Sequence, residues 1–174
     1  MKNTTASFLG KRVDFKKLTK MSPVEERIKQ ILIEKSIPFE EFEHEPVYTS
    51  EQAAKARGLP SAREGVKAMI FRTDTGRLIL VLNPGGKRID TKKIARMEKV
   101  KSLHLADPEK VKEIAGVPIG CVAPFGLKTR LKTYFSSELL ENESLYFNPG
   151  SHTKTIRIKS ADLMKVLEAP IKFE

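Results

Sequence analysis

Apolar residues at helical spacing predict the helices of this chain. The stretch Ser22-Pro23-Val24-Glu25 is a capping box with proline at the first helical position, and the apolar residues that follow predict an amphipathic helix to about Lys35. A second capping box, Thr49-Ser50-Glu51-Gln52, predicts a short alanine-rich helix that ends at Arg57 before Gly58. Three further helices are predicted to begin at caps formed by Asp90, Asp107 and Ser160.

Alternating or continuous apolar runs predict the strands. Residues 66–71 and 77–82 flank the turn Asp74-Thr75-Gly76, which is typical of a β-hairpin. Residues 119–123 are predicted to form a buried strand that ends at Pro124. Further strands are predicted at 39–43, 131–135, 145–147 and 153–158. Because helices and strands are interspersed, we expect an α+β domain with a mixed, largely antiparallel and partly barrel-like sheet surrounded by helices.

The net positive charge of the chain is typical of proteins that bind polyanions. The 174 residues suit one domain and carry a net charge of +10. Residues 1–20 have six basic residues against Asp14 alone, so we divide the chain into a basic N-terminal arm, 1–20, and a folded domain, 21–174. The excess charge predicts nucleic acid as the first partner and acidic membrane surfaces as the second. A solvated surface, and for the arm a tail without function, are the alternatives.

The sequence has few signals of location or of standard catalytic chemistry. No apolar run is long enough for a membrane span or a signal peptide, and the single cysteine excludes an intrachain disulfide, so we expect a cytoplasmic protein without a membrane partner. Dinucleotide, phosphate-loop and nucleophile-elbow motifs are absent from the sequence, and its three histidines lie far apart. We therefore predict no metal site. Cys121 lies in an apolar run, which favours a core thiol over a nucleophile.

Three places in the sequence could contribute to a ligand-binding site. Lys67 lies at the start of an apolar strand, where a cation either faces outward or points at a pocket. The segment 120–126 combines glycine and proline with apolar residues, which indicates a tight loop whose N–H groups could face a ligand, although a plain turn is the more common explanation. The segment 148–153 is a polar turn between two predicted strands.

Together these features resemble the YbaK family, which is similar to the editing domain inserted in bacterial prolyl-tRNA synthetases. The resemblance runs from Ser22 to Leu167. Its landmarks follow the family order: the opening helix, His44-Glu45-Pro46 through Ala54, the strand lysine Lys67, the GxxxP loop from Gly120 to Pro124, and the Gly150-Ser151-His152 turn. No single motif is specific; the ordered set carries the resemblance.

The resemblance implies hydrolysis of the ester that joins a wrong amino acid to the 3′-terminal adenosine of tRNA. The expected substrate is a small amino acid such as cysteine or alanine on proline tRNA, with a prolyl-tRNA synthetase as a further candidate partner. No metal or organic cofactor is implied. A water positioned by the substrate's own 2′- or 3′-hydroxyl, or the thiol of a cysteinyl substrate, would attack, so the protein itself needs no nucleophile.

The resemblance also implies roles for particular residues. Lys67 and Gly120 are the predicted catalytic residues: Lys67 would hold the terminal adenosine's phosphate or nearby oxygens, and N–H groups around Gly120 would stabilise the developing oxyanion. Either Asn148 or His152 would orient the substrate, according to the alignment chosen. Phe71 is a further candidate for the pocket wall. The full predicted substrate-binding set is Met69, Cys121, Val122, Ala123, Pro124, Phe125, Asn148, Gly150, Ser151 and His152.

Two other functions are compatible with the same residues. A binding module without catalysis could hold the aminoacylated end of tRNA in the same pocket. A general basic RNA-binding protein could share only the fold, since fold does not determine function. Loss of the ester in the presence of the protein distinguishes the deacylase from both.

Overall fold

A computed structural model describes residues 7–8, 11–12 and 21–173 of the chain. Within the predicted basic arm, Ser7–Phe8 (β1) and Lys11–Arg12 (β2) pair as antiparallel strands, and the rest of the arm lies outside the described residues. The other strands are β3 (Glu40–Glu43), β4 (Val66–Thr73), β5 (Leu78–Pro84), β6 (Leu103–Leu105), β7 (Lys132–Ser136), β8 (Ser144–Phe147), β9 (Lys154–Lys159) and β10 (Ile171–Phe173). The helices are α1 (Pro23–Glu34), α2 (Ser50–Ala56), α3 (Thr91–Glu98), α4 (Pro108–Ala115) and α5 (Ser160–Val166).

The described strands from β3 onward form two sheets. The larger has the order β10-β7-β5-β4-β6, in which β4 pairs antiparallel with β5 and β6, while β7 pairs parallel with β5 and β10. The smaller is antiparallel, with the order β3-β9-β8. The predicted α+β class is confirmed. The barrel-like closure is wrong, because the larger sheet is open and ends at β10 and β6.

Hydrophobic cores cover both faces of the larger sheet. Side chains of a strand alternate between faces, so neighbouring residues of β4 enter different cores. Ile70 packs in the larger core with α1, α4, α5 and the small sheet, whereas Phe71 packs in the smaller core beneath α3. In β5, Leu80 and Leu82 likewise face the larger core, and Val81 faces the smaller one.

The helix predictions hold best where capping is local. Ser22 Oγ accepts from the backbone N of Glu25, and Thr49 and Gln52 form the complete predicted capping box. Ser160 does not cap α5 as predicted: it is the first helical residue, and its hydroxyl donates to the carbonyl of Glu143 instead. The strands β6 and β10 were not predicted, since three residues are too few to show a period.

The predicted strand at 119–123 is also wrong, because this segment is a loop. Gly120 has a φ of +85°, outside the extended region, and the N–H of Cys121 donates to the carbonyl of Pro118 at 3.1 Å. This combination is typical of a type II turn with glycine at its third position. The apolar residues after the turn are buried as predicted, but in an irregular backbone.

A buried carboxylate joins α3 to the larger sheet. Glu98 accepts a hydrogen bond from the Tyr134 hydroxyl at 2.6 Å and pairs with Lys132 at 2.6 Å and Arg77 at 3.1 Å. Burial by itself would raise the pKa of Glu98, but the hydrogen bonds from Lys132 and Tyr134 and the charge of Arg77 lower it on balance. The ionised form therefore stabilises the folded state.

This depressed pKa predicts acid sensitivity. Stability from Glu98 is present above its ordinary pKa of 4.5 and is lost as pH falls through the lower folded-state value. We expect Glu98→Gln to lower the free energy of unfolding near pH 7 by about 1–3 kcal/mol, because two cations lose their buried partner. The variant should also lose less stability than the wild type between neutral and acid pH, as measured by urea unfolding. Glu113→Gln, at an exposed position, is the control; equal pH dependence of Glu98→Gln and the wild type would contradict the prediction.

Candidate active site

A cavity of about 240 Å³ lies along β4, between α2 and the loop that follows α4. Residues 66–70 of β4 line it from one end of the strand. Because β6 pairs only with Phe71–Thr73, the first half of β4 has no strand partner on that side among the described residues. The cavity therefore lies at the unpaired edge of the larger sheet. Other lining residues come from 47–50, Arg57, Leu105, Ala106, Val111, Ile119, Gly120, Val122 and Asn148.

Lys67 is one of the residues that line this cavity, as its predicted role requires. It lies on β4 opposite Asn83, and its side chain is exposed. Strand alternation places it on the same face as Met69, which also lines the cavity. Within the described part of the chain, the side chain of Lys67 has no hydrogen bond or ion pair. Its ammonium group is therefore available to an anionic or oxygen-rich ligand.

The turn at Gly120 forms another part of the cavity wall. Gly120 and Val122 both line the cavity, and their N–H groups have no acceptor among the described residues. The N–H of Cys121 is not available in this way, since it donates to Pro118 within the turn. The backbone N–H groups of this turn that are available to a ligand are therefore those of Gly120 and Val122.

Asn148 and His152 have different places beside this turn. Asn148 lines the cavity, and its Nδ2 donates to the carbonyl of Gly120 at 3.5 Å. His152 lies behind Gly120: its Cε1 would be 3.1 Å from a Cβ added to that glycine. The carbonyl of Val47 accepts a hydrogen bond from His152 Nδ1 at 2.9 Å, and the ring packs on Tyr48 with a centroid distance of 4.7 Å. Of the two predicted alternatives, Asn148 is the one that faces the cavity.

Arg57 is a cavity residue that sequence reasoning missed as a site residue. Its Nε donates to Thr155 Oγ1 and its NH2 donates to Asn148 Oδ1, each at 3.1 Å. The second bond determines the amide orientation of Asn148 and directs Nδ2 toward Gly120. Burial lowers the pKa of Arg57 to about 10, and the nearby Tyr146 ring opposes that shift, so the guanidinium remains charged at neutral pH.

A nitrogen of Arg57 and the ring of Tyr48 are both accessible at the surface. No acceptor for Arg57 NH1 is found in the described ranges, which also contain no buried side-chain nitrogen or oxygen without a partner, so NH1 is accessible to solvent. Tyr48 lines the rim with 70% of its surface exposed. Neither residue was predicted, because an arginine at a helix end and a tyrosine before a capping box are common in sequences without a site. Their contacts to Asn148 and His152 exist only in the folded chain.

Several predicted substrate-binding residues do not line the cavity. Cys121 and Ala123 are buried in the larger core, and burial raises the pKa of the Cys121 thiol to about 11. Phe125 packs edge-on against Phe147, and together with Pro124 it borders a separate depression near the end of α5. Phe71, the further wall candidate, faces the smaller core.

Gly150 and Ser151 have local structural contacts instead. A Cβ on Gly150 would lie 2.9 Å from Val117 Cγ1, so glycine allows the turn to pack against the loop. Ser151 Oγ accepts from the N–H of Thr153 at 3.1 Å, which is a local turn hydrogen bond. Both residues shape the turn that carries His152 and do not border the cavity.

The described residues contain neither a side-chain cluster suited to a metal ion nor a helix suited to crossing a membrane. No group of three or more His, Cys, Asp or Glu side chains in this part of the chain is arranged to hold a metal ion. None of the described helices has the length and apolarity needed to cross a membrane.

Comparison with known proteins identifies the family. Residues 44–166 match the model of the aminoacyl-tRNA editing domain. The uncharacterized protein YwhH of Bacillus subtilis is 32% identical over 115 residues, which cover 66% of this chain and 72% of that protein. A crystal structure described as a candidate trans-editing enzyme for prolyl tRNA synthetase has 26% identity and a TM-score of 0.75, with 89% of this chain and 98% of that one covered. The chain belongs to the family of aminoacyl-tRNA editing domains, as the resemblance predicted.

Larger relatives contain a similar segment. The proline--tRNA ligase of Bacillus licheniformis is 29% identical over 134 residues, which cover 75% of this chain but 23% of the ligase. The chain therefore spans less than a quarter of that relative's length, and the match concerns one segment of a longer enzyme.

Proposed function

We propose that this chain hydrolyses the ester of a mischarged aminoacyl-tRNA, with a small amino acid such as alanine or cysteine as the acyl group and proline tRNA as the carrier. The observation that supports this most directly is the cavity at the edge of β4, which is lined both by Lys67 and by Gly120 and Val122, whose N–H groups have no acceptor among the described residues. The relative named proline--tRNA ligase, and the structure described as a candidate trans-editing enzyme for prolyl tRNA synthetase, support the choice of tRNA.

The cavity suits a small acyl group. Its volume of about 240 Å³ lies below the range of about 300–1,000 Å³ that is typical of pockets for drug-sized ligands. Val66, Ala68, Val111 and Val122 give it an apolar wall. Such a wall discriminates chiefly by size, and one methylene changes binding by only about 1–3 kcal/mol. We therefore expect better exclusion of large amino acids than separation of two small ones.

Four of the cavity residues have roles in the proposed reaction. Water attacks the ester carbonyl carbon, the C–O bond to the ribose breaks, and the ribose oxygen leaves with a proton. The N–H groups of Gly120 and Val122 stabilise the oxyanion that forms at the carbonyl oxygen. Lys67 binds the terminal phosphate or nearby ribose oxygens and so holds the ester in place. The exposed ring of Tyr48 offers a stacking surface for the terminal adenine.

The attacking water requires no protein base in this scheme. The free hydroxyl of the terminal ribose, adjacent to the ester, orients the water. With a cysteinyl substrate its own thiol attacks the carbonyl carbon in place of water: the S–C bond forms, the C–O bond to the ribose breaks, the thiol proton goes to the ribose oxygen, and cysteine leaves as a cyclic thioester that water then opens. The buried Cys121 takes no part, since its thiol lies in the core with a raised pKa. We also propose that the basic arm, residues 1–20, adds contacts to the tRNA outside the cavity.

The test is single-turnover deacylation of proline tRNA charged in turn with alanine, cysteine, serine and proline. Rapid loss of a small amino acid, with prolyl-tRNA spared, supports the proposed function and names the substrate. A chain that binds all four aminoacyl-tRNAs but releases no amino acid from any of them contradicts a deacylase and favours the binding module.

Arg57 should act on the reaction through Asn148. Arg57→Lys keeps the charge but loses the planar fork that donates to Asn148 and Thr155, so we expect kcat/KM to fall at least about tenfold, or about 1.4 kcal/mol. The double variant Arg57→Lys/Asn148→Ala should lose little more than Arg57→Lys alone, because the two residues act as one unit.

The control for Arg57 is Lys55→Gln, at an exposed position on α2, which should retain wild-type kcat/KM. Additive losses in the double variant would mean that Arg57 does not act through Asn148. Single-turnover rates at saturating and limiting enzyme separate an effect on binding from an effect on the chemical step.

A further inference from the structure

The exposed surface of α3 carries a row of basic side chains. Lys92 and Arg96 are one turn apart, and Lys99 caps the helix a further turn along, so the three side chains follow one line on the surface. All three are exposed. We call this set the α3 ridge. It spans about 10 Å along the helix axis at 1.5 Å per residue.

The acidic residues of this segment do not neutralise the ridge. Glu98 points inward and pairs with Arg77 and Lys132. Asp90 accepts a hydrogen bond from the N–H of Lys93 as the N-cap of α3. Within the described part of the chain, no carboxylate forms an ion pair with a residue of the ridge. On α4, by contrast, the surface carries both signs, and Lys110 pairs with Glu113.

The α3 ridge lies beside the candidate active site. Ile94 and Ala95, on the inward face of α3, belong to the core against which Met69 packs, and Met69 also lines the cavity. Lys67 lies on the same face of the larger sheet as Met69, by strand alternation. In addition, α3 contacts β6, and Leu105 of β6 lines the cavity. The helix that carries the ridge therefore lies next to the edge of the larger sheet that borders the cavity, and a polyanion with its end in the cavity would extend toward α3.

We infer that the α3 ridge binds the phosphate backbone of the tRNA acceptor stem while the aminoacylated end occupies the cavity. This inference rests on the proposed function. Unpaired lysine and arginine side chains in a row are suited to successive phosphates. An acidic membrane surface fits less well, because an interfacial helix must insert its apolar face, and that of α3 is buried in the core.

The test compares two triple variants of the full chain that remove the same charge. The ridge variant is Lys92→Gln/Arg96→Gln/Lys99→Gln. The control is Lys35→Gln/Lys128→Gln/Lys159→Gln, at exposed positions on the elements that pack on the other face of the larger sheet. Affinity for uncharged proline tRNA is measured by fluorescence anisotropy over a series of KCl concentrations. Thermal melts establish that both variants are folded.

We expect the ridge variant to bind tRNA at least about tenfold more weakly at low salt. Its slope of log K against log [KCl] should decrease by about 2, since each lost phosphate contact removes about 0.7–0.9 from the slope. The control variant should stay within about twofold of the wild type. Equal losses in both variants, or none in either, would overturn the inference.

A second substrate separates this inference from the proposed function. An aminoacylated CCA trinucleotide has the reacting end but no stem, so the ridge variant should cleave it at the wild-type rate. Slower cleavage of the trinucleotide would mean that the substitutions disturb the cavity, which also overturns the inference. Binding of uncharged tRNA involves no hydrolysis, and it therefore tests the ridge even if the chain proves not to be a deacylase.

Discussion

Lys67→Ala should abolish deacylation and leave the fold unchanged. The side chain is exposed and has no hydrogen bond or ion pair among the described residues, so its removal costs little folding free energy. In the proposed reaction it is the cation that holds the substrate's phosphate or ribose oxygens beside the Gly120 turn. We expect kcat/KM to fall at least about 10²-fold, because a displacement of the ester by about 1 Å is enough to slow the reaction by that factor.

The control for this prediction is Arg72→Ala on the same strand. Arg72 is exposed like Lys67 and carries the same charge, but it does not line the cavity. A comparable loss in both variants would indicate a general effect of charge on tRNA binding. Wild-type activity in Lys67→Ala would contradict the assigned role. Circular dichroism melts of all three proteins check that folding is unaffected.

Elements of the fold were predicted correctly where the residues that specify them are close together in the sequence. The capping signals at Ser22 and Thr49 involve residues within one turn. The structure forms the complete box at Thr49 and Gln52, and at Ser22 the hydrogen bond from the Glu25 N–H to the Ser22 hydroxyl. The hairpin around Gly76 was recognisable because its turn and its flanking apolar runs are contiguous. The segment 119–123 was misread, since apolar composition alone does not distinguish a strand from a buried loop, and the positive φ of Gly120 decides in favour of the loop.

The candidate site shows the same limit. Lys67 and Gly120 were predicted within an ordered set of landmarks, and Asn148 as an alternative to His152; the fold brings all three of Lys67, Gly120 and Asn148 to one cavity. Arg57 was missed, because its importance lies in bonds to Asn148 and Thr155, both more than 90 positions away in sequence. Cys121 and Ala123 were included by proximity to Gly120, but the backbone after the turn directs their side chains into the core.

Tertiary contacts also explain why Gly120 is glycine. Its φ of +85° is a conformation that costs other residues about 1–2 kcal/mol. An added Cβ would in addition lie 3.1 Å from His152 Cε1, and the hydrogen bonds and stacking of His152 restrict how far the ring can move. Relief of both constraints would rotate the peptide groups of Gly120 and Val122, which are the proposed oxyanion donors.

Gly120→Ala should therefore lower the single-turnover rate at saturation by about 10²–10³-fold, the usual cost of losing one oxyanion donor, or about 3–4 kcal/mol. Gly76→Ala is a matched control, because Gly76 has a φ of +86° and no atom within 4 Å of an added Cβ. Both variants should lose similar stability from the backbone, but only Gly120→Ala should lose activity. Equal activity in the two variants would exclude the Gly120 turn from the reaction.

A second substitution separates the two causes of that loss. His152→Ala removes the ring that an added Cβ on Gly120 would contact. If the contact displaces the turn, the double variant Gly120→Ala/His152→Ala should recover much of the lost rate relative to Gly120→Ala. If backbone strain alone reorients the N–H groups, no recovery is expected, and the positive φ of Gly120 is itself the feature on which the site depends.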